Sequence, residues 1–204
     1  PGLMLQGQLE PWSSVMLSAQ VPGRVESLAV SLGEQVQQGQ KLLTIADEGR
    51  SAAVLRWQSQ VRKLEADLVA ARRLRANNLA SESQILSLES ELAAAEAELT
   101  GARQAISHLT PEAPFDGIIN SKSVDIGDLV QVGSPLFQLV RVDRLKATAQ
   151  IPQQSVGNVA PGQSVRVDLL DGSRLSGVVT FVASAASPET RSFAVEIAVE
   201  NPDR

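Results

Sequence analysis

SAAVLRWQSQVRKLEADLVAARRLRANNLASESQILSLESELAAAEAELTGARQAISHL, residues 51–109, carries two heptad runs that face each other across one turn. In the first, Val54, Trp57, Val61, Leu64, Leu68 and Ala71 alternate spacings of three and four; in the second, Ile85, Leu88, Leu92, Ala95, Leu99, Ala102, Ile106 and Leu109 do the same. That spacing gives each helix one apolar stripe and predicts an antiparallel coiled-coil hairpin. Asn77 and Asn78 suit the left-handed backbone that ends a helix, and Ser81 with Gln84 three residues on forms a capping box that opens the next. Arg72, Arg73 and Arg75 crowd the carbonyl end of the first helix and Glu82 the amide end of the second, so each charge suits its helix dipole. Each helix is expected to span about 26 residues, roughly 40 Å at 1.5 Å per residue.

Such an arm buries a narrow seam while ordering more than fifty residues, at a cost of about 1.5 kcal/mol each. It is therefore expected to be rooted in a rigid base and to gain contacts from neighbouring chains. The base is legible as a repeat. GRVESLAVSLGEQVQQGQKLLTI (23–45) aligns without a gap to GIINSKSVDIGDLVQVGSPLFQL (117–139), with eight of 23 positions identical. The pairs Gly23/Gly117, Gly33/Gly127 and Gly39/Gly133 stay in register, and glycine at 33, 39, 127 and 133 marks turns that need a positive φ. Two copies of one β-unit thus flank the arm and are expected to close into one β-sandwich, with Pro111 and Pro114 stopping the second helix.

Around this centre, residues 3–20 alternate weakly about Pro11, as one or two strands. Leu145 to Ile151 reads as a strand and Pro152 to Val159 as a helical turn. Val165–Leu169 and Leu175–Val182 read as a hairpin across a two-residue Asp171-Gly172 turn, and Phe193–Val199 as a last strand. The 204 residues carry a net charge of −5, which argues against a nucleic-acid surface. There is no cysteine, so disulfides, thiolate metal sites and cysteine nucleophiles are excluded. No apolar run approaches the ~20 residues of a membrane helix. The start at Pro1, without an initiator Met or signal peptide, reads as a fragment whose targeting segment has been removed.

The doubled unit resembles the two halves of a biotinyl/lipoyl domain, most clearly in APFDGII (113–119) followed by GDLVQVGSPLFQL (127–139). A helical hairpin inserted between such halves resembles the periplasmic membrane fusion proteins, or adaptors, of tripartite efflux pumps, of the HlyD and AcrA kind. SPETRSFAVEIAVENPD (187–203) is similar to the barrel segment of those adaptors. The resemblance implies an elongated α+β multidomain chain: a lipoyl-like sandwich (21–46 with 112–140), an inserted α-hairpin (47–111) and an antiparallel β-barrel (1–20 with 141–204) whose last strand lies beyond Arg204. It implies no catalysis and no cofactor. The partners it implies are an inner-membrane transporter of the resistance-nodulation-division type, a TolC-like outer-membrane channel and copies of itself, in a hexamer or trimer of dimers. The location it implies is the periplasm, attached to the inner membrane by a segment outside this sequence.

In drug-efflux adaptors the hairpin tip meets the channel through an Arg, a Leu four residues on and a Ser seven after that. Leu74 and Ser81 keep the second spacing, Ala70 stands at the Arg position, and the tip arginines are Arg72, Arg73 and Arg75. A seam-flanking leucine and a helix cap explain the pair equally well. The runner-up partner is an ABC-type exporter or type I secretion system. A carrier domain would need an acylated lysine at an exposed turn; Lys63 sits mid-helix and Lys41 inside an expected strand. His108, the lone histidine, falls at the root of the second helix, and Asp47-Glu48 precede the first as its dipole prefers. Met4, Met16 and His108 are too few and too scattered for a metal site, and no phosphate loop or nucleophile motif is present.

Overall fold

The fold is described from a computed structural model, for residues 3–201; Pro202 and Asp203 of the barrel-like string lie outside them. The chain runs β1 (Gly7–Ser18), β2 (Gly23–Leu28), β3 (Gln35–Val36), β4 (Leu43–Ile45), α1 (Arg50–Ala76), α2 (Glu82–Ser107), β5 (Gly117–Lys122), β6 (Leu129–Val130) and β7 (Pro135–Pro152). A 3₁₀ turn (Val156–Asn158), β8 (Ser164–Asp168), β9 (Arg174–Val182) and β10 (Ser192–Glu200) follow.

The two copies are related by a local pseudo-twofold, and the hydrogen bonds between them are reciprocal. Gly23 pairs with Val130, and the equivalent Gly117 with Val36. Val25 N–H donates to the Asp128 carbonyl at 2.9 Å, and Ile119 N–H to that of Glu34 at 3.0 Å. Each copy thus completes the other's ladder, and neither has a full complement of backbone partners alone. The repeat reaches four residues further than the sequence alignment, because Gly133 N–H donates to the Ala19 carbonyl as Gly39 N–H does to Ala113. One apolar core draws on both copies, with Val25, Leu42, Ile45, Ile119, Leu136, Phe137 and Leu139 at 0–1% exposure.

Gly33, Gly39, Gly127 and Gly133 have φ between +80° and +92°, as the turns require. Gly23 and Gly117 serve differently: they are close approaches. A Cβ on Gly23 would lie 2.6 Å from the Ile45 side chain, and one on Gly117 would collide with the Val140 carbonyl.

β1 is one strand through Pro11, paired along its length with β7 and shifted in register between Pro11 and Ser13. β7 continues from the sandwich into the C-terminal sheet, whose order is β1-β7-β10-β9-β8, all antiparallel, over a second core of Ile151, Val179 and Val195. Where β7 passes between the two cores, Arg141 forks onto Asp143 at 2.9 and 3.2 Å, which holds that carboxyl below its ordinary range. Asn201 donates from its side chain to the Val142 carbonyl there. In the TRSF segment, Ser192 is buried and donates to Gln150, while Arg191 takes a left-handed φ of 50°.

The β8–β9 connection corrects the two-residue reading. Leu169 N–H donates to Ser173 and Gly172 N–H to Leu169, with Gly172 at φ +87°, so the loop is three residues, 170–172. Asp171 accepts from both the hydroxyl and the amide of Ser173, which favours a wider turn that closes with glycine in the left-handed region.

Candidate functional site

α1 and α2 run in opposite directions over 27 and 26 residues and pack along the expected seam. Val61 and Leu64 share one cluster with Ala95 and Leu99, flanked by Val54, Trp57, Leu88 and Leu92. Leu68, Ala71 and Ile85 form a second, nearer the tip. Every member of these clusters lies on α1 or α2, so the arm buries its apolar stripe against itself alone. Ile106 is half-buried outside both clusters, and Leu109 leaves the heptad altogether. The helix stops at Ser107, and Leu109 turns into the sandwich core, where it roots the returning end.

The departing end is rooted by Arg50. Its guanidinium donates to the Pro22 carbonyl at 2.6 Å and to those of Ala46 and Asp47 at 3.3 Å. Gly49 at φ 88° leads into α1, and the Asp47 carboxylate accepts from Ser51 N–H at 2.9 Å, capping amides that Gly49 cannot. Arg56 lies 5.2 Å from the centroid of the half-buried Trp57 ring, which is therefore seam with a cation over it.

At the tip the chain reverses through a Schellman arrangement. Leu79 N–H donates to Leu74 and Asn78 N–H to Arg75, with Asn78 left-handed at φ 59°. Ser81 accepts from Gln84 N–H at 3.2 Å and opens α2. Of the five residues singled out for channel contact, Arg72 is tied to Glu89 at 2.8 Å and Arg75 to Glu82 at 3.2 Å. Ser81 is engaged as a cap, and Leu74 is 46% exposed. Arg73 has no ion-pair partner among the described residues. Leu79, at 72% exposure, was not singled out from the sequence. Its signal was an apolar residue between a left-handed Asn and a helix cap, where turn chemistry alone calls for a polar one. The tip thus offers two bare leucines and one free guanidinium, and it has no reactive group.

Elsewhere, Lys63 is paired with Asp67 on the exposed face of α1, and Lys41 forms an isolated bridge with Glu112. His108 caps the end of α2 beside Gln20, Thr110 and Glu112. Among the described residues no three His, Cys, Asp or Glu side chains gather as a metal site. No helix there is long and apolar enough to cross a membrane.

Residues 13–140 match the CzcB-like, barrel-sandwich hybrid domain, and residues 147–204 the CusB-like, beta-barrel domain. The chain is 29% identical over 213 residues to nodulation protein NolF of Rhizobium meliloti, covering 97% of this chain and 58% of the relative. It is 24% identical over 196 residues to cobalt-zinc-cadmium resistance protein CzcB of Cupriavidus metallidurans, covering 88% and 38%. The chain therefore spans about half the length of such relatives. A MacA-MexA chimeric protein containing the Pseudomonas aeruginosa MexA alpha-hairpin domain superposes with a TM-score of 0.81 at 23% identity, covering 96% of this chain and 71% of that one. With a CzcB-like barrel-sandwich hybrid domain and a CusB-like beta-barrel domain matched over nearly all of the sequence, the chain belongs to the membrane fusion protein family.

Proposed function

We propose that this chain is the central part of a periplasmic adaptor that couples an inner-membrane transporter of the resistance-nodulation-division type to a TolC-like outer-membrane channel. The observation that carries this reading is the joint core of the two β-copies, with a self-packed helical arm leaving at Arg50 and returning at Leu109. A body with a projecting, separately packed spoke suits a part that spans a gap and transmits movement. In this reading 47–111 is a coiled-coil arm, 21–46 with 112–140 the ring-forming lipoyl-like domain, and 1–20 with 141–204 a barrel closed by chain beyond Arg204. The arm tip meets the channel through Leu74, Leu79 and Arg73, while Arg72, Arg75 and Ser81 hold its shape. The barrel faces the transporter, and a segment outside this sequence anchors the protein to the inner membrane. Recognition of the exported small molecule or ion, and the energy for moving it, belong to the transporter.

The test is deletion of the full-length gene followed by complementation. Loss of the protein should raise cellular accumulation of the exported compound, and wild-type protein should reverse this. Leu74→Glu with Leu79→Glu should fail to complement while remaining folded and abundant. Export indifferent to loss of the protein would end the adaptor reading, and normal export with both tip glutamates would remove the tip from it.

A further inference from the structure

Arg191 stands where this chain elsewhere puts glycine. Ser187 N–H donates to the Ser192 carbonyl at 2.9 Å and Arg191 N–H to that of Ser187 at 2.8 Å, which closes the turn 188–191 before β10 with Arg191 at φ 50°. Other turns of the same sheet that use the left-handed region do so with Gly162 and Gly172, at φ 90° and 87°. A Cβ in that conformation crowds the following carbonyl, so any residue but glycine is destabilising there. Among the described residues only Glu48 and Asn78 share this backbone with a side chain attached, and each has a local reason. Asn tolerates the conformation, and Glu48 brings a carboxylate to the amide end of α1.

Nothing in the chain accounts for Arg191 in the same way. The residue is exposed, and its guanidinium has no ion-pair partner among the described residues. The strained backbone is held from beneath. The hydroxyl of buried Ser192 donates to Gln150 Oε1 at 2.8 Å and lies 2.6 Å from the Thr190 hydroxyl. The residues on both sides of Arg191 are thus pinned to β7, and its conformation is over-determined by its surroundings. Strain maintained in this manner clusters at functional sites. A fixed backbone also lowers the ordering cost of engaging the side chain it carries.

Resting on the adaptor reading, we infer that Arg191 is the point at which the C-terminal sheet recognises a fixed carboxylate on the inner-membrane transporter. The turn offers a prong and no cradle, because the best-formed hollows lie at the arm root and on the sandwich. A free anion has nothing to enclose it here. A carboxylate already held on a protein surface needs only a forked donor brought to it. Position agrees with charge. Ser192 pairs with Pro152 at the end of β7, twelve residues beyond Val140, whose partner Ile118 belongs to the sandwich. At about 3.3 Å per residue that is roughly 40 Å along the strand. The turn therefore lies at the far end of β7 from the body that roots the arm.

Arg191→Gly removes the charge and the strain together, and a recognition role makes the two consequences run in opposite directions. In the full-length protein this variant should raise the thermal midpoint by about 2–4 °C. It should also lower affinity for the detergent-purified transporter about tenfold at low salt. That gap should close at high salt, where screening removes the attraction. Arg191→Lys keeps the charge and should retain most of the affinity. A midpoint below that of the wild type would assign Arg191 to the turn itself and overturn the inference. Wild-type affinity at low salt, a loss that persists at high salt, or a change only in self-association of the adaptor would overturn it equally. Transporter binding that is indifferent to Arg191→Gly leaves the adaptor reading standing, whereas a wild-type protein that never binds the transporter removes both.

Discussion

Gly117 and Gly33 occupy the same doubled unit and do different work, which makes them separable by experiment. Gly33 has φ +81° and open space around its missing Cβ, so alanine there meets only left-handed strain, about 1 kcal/mol. Gly117 lies where β5 meets β7, and an added methyl would press into the Val140 carbonyl, a backbone atom held by its own ladder. Gly117→Ala should therefore cost about 3 kcal/mol, the upper end for overpacking a core, against about 1 kcal/mol for Gly33→Ala. Chemical denaturation of the two variants measures the gap, and equal midpoints would contradict the close-approach role. Sequence registered both glycines through the repeat. It could not say that Gly117 is constrained by a contact, because that contact is made by a strand some twenty residues away in the chain.

The helices were legible almost to the residue because every signal that defines them is local. Asn78 and Ser81 act through bonds within one turn of themselves, and the heptad positions need only a partner helix one turn away in the chain. Leu109 shows where local periodicity ends, since its heptad spacing continued while its side chain went to a core assembled from distant strands. The two-residue β8–β9 turn failed for a neighbouring reason: Asp171 found a better partner in Ser173 than a tight turn allows. Because the seam touches nothing but the opposite helix, damage to it should stay within the arm. Leu64, 2% exposed at the centre of the larger cluster, should cost about 3 kcal/mol on truncation to Ala. Hydrogen exchange of Leu64→Ala should show protection falling across α1 and α2 and unchanged in β2, β5 and β7. A uniform loss through the β-core would mean that arm and body unfold as one.

Taken as a whole, the molecule joins an arm and a β-body through a root of few contacts, and the body's core includes no residue of either helix. The strands on either side of the insertion are already held together: Ile45 N–H donates to the Leu109 carbonyl at 2.7 Å and Leu42 N–H to that of Pro111 at 3.0 Å. The ends of the excursion are therefore neighbours in space, and closing them costs little loop entropy, since that cost grows only as the logarithm of loop length. Replacing residues 50–107 by a short glycine-serine linker, with Leu109 retained for the core, should leave a β protein that still unfolds in one cooperative transition. Its far-UV circular dichroism should lose the helical minimum and keep the strand signal, and its amides at Val25 and Ile119 should stay protected, because each is bonded to the other copy. A shortened chain with no cooperative transition would show that the arm is needed to bring the two copies together. In that case the spoke would be part of the folding nucleus of the body, and arm and body would not be physically independent.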